Sequence, residues 1–128
     1  MPWTKTEVYA ADTGAFCSGL NSARTSNSLT AFSSCSQSST LMNHAKTMAE
    51  ADSVWHSSSD SIVGASSSIS SLMSAFMASS GHKAQILGGY SPGVATVGCY
   101  WRKDTGQTAA DLPAYEFKSV FCAARFTN

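Results

Sequence analysis

Ile69, Leu72, Met73, Phe76 and Met77 recur at the i, i+3, i+4, i+7, i+8 spacing of one helix face. The hydroxyls of Ser66 to Ser68, just ahead of them, supply an N-cap. Leu41, His44, Ala45 and Met48 share a face in the same way and predict a helix from about Ser39 to Asp52. A shorter helix is predicted over Phe16, Leu20, Ala23 and Arg24. It ends in the polar stretch Thr25 to Ser28, where side-chain oxygens compete for backbone hydrogen bonds. The pattern changes after Leu87. Gly88-Gly89 and Pro92-Gly93 are breakers, and Val94, Val97, Cys99, Tyr100 and Trp101 then predict a strand. Asp104-Thr105-Gly106 reads as a turn or the start of a loop, and Tyr115 to Phe126 as a returning strand. Residues before about 15 read as a short N-terminal arm. Helices followed by an antiparallel pair predict an α+β domain with helices packed on a small sheet.

The 128 residues and 13.4 kDa suit a single domain, 1–128. Only 12% of the residues are charged while 43% are hydrophobic, and serine, about a fifth of the chain, supplies the polar surface instead. Lys plus Arg and Asp plus Glu are 8 each, for a net charge of +0, without a cluster of either sign. A nucleic-acid partner needs a concentrated basic face to neutralise phosphates, so that class is excluded. No apolar run approaches the roughly 20 residues of a membrane-spanning helix. The start Met1-Pro2-Trp3-Thr4-Lys5 lacks the basic-then-apolar build of a signal peptide, which leaves a mature secreted form or release by another route.

Cys17, Cys35, Cys99 and Cys122 include no C-x-x-C pair, so the reading is two structural disulfides and an oxidising, extracellular location. Three connectivities are possible. Local order favours Cys17 with Cys35 and Cys99 with Cys122, the latter pair lying on two strands of one predicted hairpin.

Three ordered segments carry a family resemblance. Leu20-Asn21-Ser22-Ala23-Arg24 followed by Leu29 has the form L-N-x-x-R. Ala45-Lys46-Thr47-Met48-Ala49 followed by His56-Ser57 has the form A-x-x-M-A with a downstream His-Ser. Phe76 to Leu87 follows W-M-x-S-x-G-H-R-x-N-I-L, with Phe76 for Trp, Lys83 for Arg and Gln85 for Asn. Together with Val97-Gly98-Cys99-Tyr100 and the closing strand, these resemble the CAP superfamily, the SCP-like domain of cysteine-rich secretory and pathogenesis-related proteins. The resemblance implies an α-β-α sandwich with a three-stranded antiparallel sheet, usually secreted. It also implies a central cleft lined by two histidines and two acidic residues, the histidines binding a divalent metal in some members.

Carried onto this chain, His56 and His82 match the histidines and Asp60 one acidic position, while Ala78, Ser79 and Ser80 offer nothing for the second. The expected cleft is therefore His56, Asp60 and His82. A divalent metal such as zinc, if held, falls to His56 and His82, short of the three or four donors such a site takes. His44, beside Leu41, Ala45 and Met48, reads as a half-buried packing residue. Met42, Met48, Met73 and Met77 with Phe76 offer a lipid-like ligand an adaptable pocket, although methionines at helix spacing more often fill a core. A Ser-His-Asp set can be drawn in any chain so rich in serine, and the elbow G-x-S-x-G is absent, so hydrolysis lacks support.

The leading expectation is an extracellular, non-enzymatic binding or scaffold module whose partner is a protein or lipid-like ligand. The alternatives are a metal-dependent enzyme using the His56 and His82 cleft, and a structural subunit of an extracellular or virion assembly, where near-zero net charge permits self-association.

Overall fold

The computed structural model describes residues 3–128. In chain order the elements are β1 (Trp3–Ala10), α1 (Thr13–Ser26), β2 (Ser34–Gln37), α2 (Ser39–Ala51), β3 (Ile62–Ser66), α3 (Ile69–Ala78), α4 (Ser80–Ile86), β4 (Val94–Gln107) and β5 (Tyr115–Thr127). The helices start where the hydroxyls and carboxylates allow. Asp12 caps α1 through Gly14 N–H, Ser38 caps α2 through Leu41 N–H, and Ser68 and Ser71 form a reciprocal capping box at α3. α2 ends at Asp52, which adopts the left-handed conformation (φ 51°).

β4 is the spine of the sheet. β5 pairs with it antiparallel along one edge. On the other edge β1 lies antiparallel to Tyr100–Gln107, and the short β2 lies parallel to Val94–Val97. β3 closes the far side of β5. The sheet thus has five strands, four of them antiparallel, rather than the three implied by the family resemblance. The expected turn at Asp104-Thr105-Gly106 is instead paired strand, because β4 continues through it opposite Phe117, Glu116 and Tyr115. The expected N-terminal arm is β1 and the first residues of α1.

Period-two alternation puts apolar side chains on both faces of the sheet. Val120, Cys122, Ala124 and Phe126 of β5 face one way, with Val97 and Cys99 of β4, into a core shared with Phe16 and Leu20 of α1, Leu72, Met73 and Phe76 of α3, and Ile86 of α4. Phe121 and Ala123 face the other way, against Leu41, Met48 and Ala49 of α2. Helices therefore cover both faces. Met48 is on one side of the sheet and Met73, Met77 and Phe76 on the other, so the methionines expected to line one lipid-like pocket are divided between two cores. Gly98 marks where α2 comes closest: a Cβ there would stand 2.3 Å from the Leu41 carbonyl carbon and the Met42 nitrogen.

Both disulfides join the locally ordered partners. Cys17–Cys35 ties α1 to β2, and Cys99–Cys122 joins directly opposed residues of β4 and β5. Arg24, in the last turn of α1, is buried at 2% exposure. Its guanidinium donates to the carbonyls of Thr30 (2.7 Å), Ile86 (2.9 Å) and Gly88 (2.8 Å) and lies over the Phe32 ring. Asn21, one helical turn earlier, accepts from Phe32 N–H at 2.8 Å. These two residues of the L-N-x-x-R segment therefore fasten α1 to the loop after it and to the end of α4, the helix that carries His82.

Candidate functional site

The loop from α2 to β3 and the start of α4 meet over the end of β3. There His56, Ser61, Ile62, Ser79, His82 and Gln85 surround a groove of about 290 Å3. The two histidines, 26 positions apart in the chain, thus line one concavity.

Asp60 organises the loop. Its side chain is sealed from solvent (0% exposed), whereas that of His56 is 63% exposed. His56 Nδ1–H donates to Asp60 Oδ1 at 2.6 Å, and Ser57 donates to Oδ2 through both its backbone N–H (2.6 Å) and its hydroxyl (2.7 Å). Burial by itself pushes the Asp60 carboxyl up. The hydrogen bonds from His56 and Ser57, with the charge of the His56 ring, outweigh it and hold the carboxyl below its ordinary value. Asp60 therefore does not face the groove as expected; it lies beneath His56. Because Nδ1 carries the proton given to the carboxylate, the lone pair of neutral His56 sits on Nε2, the outer ring nitrogen.

His82 is held differently. Its Nε2–H donates to the Val63 carbonyl of β3 (3.2 Å), which can only accept, and its Nδ1 accepts from the Ser79 hydroxyl (2.8 Å). The ring also packs 4.9 Å from Phe76. The relay of hydroxyl, imidazole and carbonyl resembles a nucleophile pair in connectivity. It ends, however, on a neutral carbonyl that does little for the imidazolium formed if Ser79 gave up its proton. The arrangement fixes the ring and leaves the Ser79 oxygen able to accept a further hydrogen bond.

His44 stands behind this loop with its side chain 9% exposed. Its Nε2–H donates to the Trp55 carbonyl (2.7 Å), its ring meets Trp55 edge to face, and its Nε2 is 3.7 Å from Asp60 Oδ2. It holds the segment before His56 in place, a more specific task than the packing role read from its helix face.

For a metal, the donor set is thin. His56 Nε2 is available as it stands, and His82 Nδ1 becomes so only if the Ser79 hydroxyl turns away. Among the described residues no group of three or more His, Cys, Asp or Glu side chains is placed to hold an ion. A wider concavity of about 610 Å3 lies at the far end of the sheet near Thr6, Asp104, Tyr115 and Phe117. Its one carboxylate, Asp104, is committed to Arg102 and Thr6, and these hydrogen bonds, Arg102 first, hold its carboxyl below the ordinary value. The chemistry therefore gathers in the smaller groove.

Ser79 and Gln85 were not singled out by sequence reasoning. Spacing offered a signal for Ser79, since a serine three residues before a histidine at a helix start reaches its ring. Nothing local marked Gln85. Compared with family models, with curated proteins and with solved structures, the chain matches none.

Proposed function

We propose that the chain is an extracellular, non-enzymatic binding module of the CAP kind whose ligand seats between His56 and His82. The observation that carries this reading is the shared groove itself, in which one imidazole presents an unused lone pair and the other is locked by two hydrogen bonds. Helices on both faces of the sheet and the two disulfides support the kinship and the oxidising location. Among the described residues no helix is long and apolar enough to cross a membrane.

The groove selects for a small polar group. An N–H or O–H of the ligand donates to His56 Nε2, the Gln85 amide both donates and accepts, and the Ser79 oxygen accepts, while Ile62 supplies an apolar wall. Zinc at this site would rest on two imidazoles and need one or two donors from the ligand or water, so it fits as a shared rather than a resident ion. The metal-dependent enzyme, which needs a complete protein shell around an activated water, is supported less well.

The test is nuclear magnetic resonance of uniformly labelled protein titrated with zinc chloride and with small amides and alcohols. Shifts should concentrate on His56, Ser79, His82 and Gln85 and vanish in His56→Gln/His82→Gln. Perturbations elsewhere on the molecule, unchanged by that double substitution, would reject the reading. One specific observation favours the assembly-subunit alternative as a second role: the outer edge of the sheet at β1, which among the described residues has no partner strand.

A further inference from the structure

Of the sheet's outer strands, β3 turns the Val63 carbonyl to His82, and β2 has only four residues. β1 is different. Its eight residues pair with β4, and among the described residues its other edge meets no strand. The direction of its backbone groups follows from one bond: Ala11 N–H donates to the Cys99 carbonyl directly opposite, continuing the β1 to β4 register. Backbone groups alternate sides along a strand. Tyr9, Glu7, Lys5 and Trp3 therefore direct theirs to β4, and Val8, Thr6 and Thr4 direct theirs outward.

We propose that this edge pairs with β1 of a second copy, antiparallel about a two-fold axis at Thr6, to make one continuous sheet across a homodimer. The proposal is independent of the groove. In this register Thr6 faces the second copy's Thr6, and Thr4 faces its Val8. Each of these pairs exchanges both hydrogen bonds using the outward groups, as an isologous interface requires. Between them fall the non-hydrogen-bonded pairs, whose side chains approach most closely. These set Lys5 against the second copy's Glu7 and Trp3 against its Tyr9.

Charge selects this register over its neighbours. A shift of two residues one way opposes Lys5 to Lys5, and the other way Glu7 to Glu7, and like charges directly opposite are destabilising. A lysine on an edge strand ordinarily discourages pairing. Within the strand Lys5 already lies 3.4 Å from Glu7, and of the three registers only the one about Thr6 also sets the second copy's carboxylate directly opposite it. Further in, Glu7 stands in the same row as Lys103 and Lys118, and Lys5 in the same row as Glu116, so the pairing joins a row of net charge +1 to a neutral one and the complementarity rests on Lys5 and Glu7 themselves. Trp3 (46% exposed) and Tyr9 (37%) are among the few large apolar side chains left open to solvent. The second copy covers both.

The experiment is sedimentation velocity on the full chain at low ionic strength, from micromolar to near-millimolar concentration. The wild type should approach twice the 13.4 kDa monomer mass. Glu7→Lys and Lys5→Glu each replace two opposite-charge pairs by like-charge pairs and should weaken dimerisation by about ten- to a hundredfold. An equimolar mixture of the two variants restores every pairing and should dimerise like wild type, as should Lys5→Glu/Glu7→Lys. Both side chains are well exposed (66% and 43%), so the monomer fold is retained. A wild type that stays monomeric throughout would overturn the proposal. So would a dimer that survives both single variants, or variants that show no preference for each other on mixing.

Discussion

Asp60→Asn replaces a buried carboxylate with a near-isostere and separates the stability of the His56 loop from its chemistry. The carboxylate accepts three hydrogen bonds: from His56 Nδ1, Ser57 N–H and the Ser57 hydroxyl. An asparagine oxygen can take the Oδ2 position and keep both Ser57 bonds, now to a neutral acceptor. Its NH2 group then faces His56 Nδ1, which must give up its proton to accept. Hydrogen bonds to charged groups are worth about 1.5–3 kcal/mol and neutral ones about 1, and exposed His56 recovers part of its loss from water. The net cost is about 1–2 kcal/mol, or a fall of about 4–10 °C in Tm for a domain of this size. The proton of His56 moves to Nε2, so the outward lone pair is lost although the ring remains. The pH dependence has a fixed sign. The folded carboxyl titrates below its unfolded value, so its contribution is fully present above about pH 5 and is lost as pH falls through the lower folded pKa. Thermal unfolding from pH 7 down to pH 2 should therefore show wild type and variant converging in acid. Long-range nitrogen–proton correlation spectra should show the His56 tautomer change at neutral pH. Equal stability at pH 7 together with an unchanged His56 tautomer would refute this account of the loop.

Two glycines should respond oppositely to alanine. At Gly98 the new Cβ meets α2 backbone that no rotamer change can move aside, and denaturant unfolding should show a loss of about 3 kcal/mol or more; at Gly81 a Cβ meets nothing within 4 Å, and the same assay should show a gain of about 0.5–1 kcal/mol from helix propensity. Each disulfide closes a loop of 18 or 23 residues, so Cys17→Ala/Cys35→Ala and Cys99→Ala/Cys122→Ala should each cost about 3 kcal/mol by chain-entropy reasoning, and the denatured, unreduced wild type should titrate no thiol. Arg24→Met strands three carbonyl acceptors and should cost about 3 kcal/mol or more in the same unfolding measurement; Arg24→Lys, which cannot fork among them, should recover less than half of that.

The part of the fold readable from sequence was the part written in local periodicity. Five apolar residues on one face mark α3, and the serines ahead of them mark its cap. The start of α2 follows from the same logic to the residue. The breakers at Gly88 to Gly93 divide helices from the long hairpin, and chain order alone favoured the observed disulfide partners. The expectation that His56 and His82 share a cleft came only from the family resemblance, since nothing local relates two residues so far apart.

Tertiary structure decided what depends on distant partners. β1 carries no buried face to announce it, because its residues are mostly exposed and its existence rests on β4 nearly a hundred residues away. β2 and β3 are too short for a period to register and are held by neighbouring strands. Asp104 to Gly106 has turn-forming composition, yet cross-strand hydrogen bonds on both sides keep it extended. The burial of Asp60 has the same origin. A side chain's spacing fixes which residues it can reach, but whether it faces water or three donors depends on what the rest of the chain folds against it.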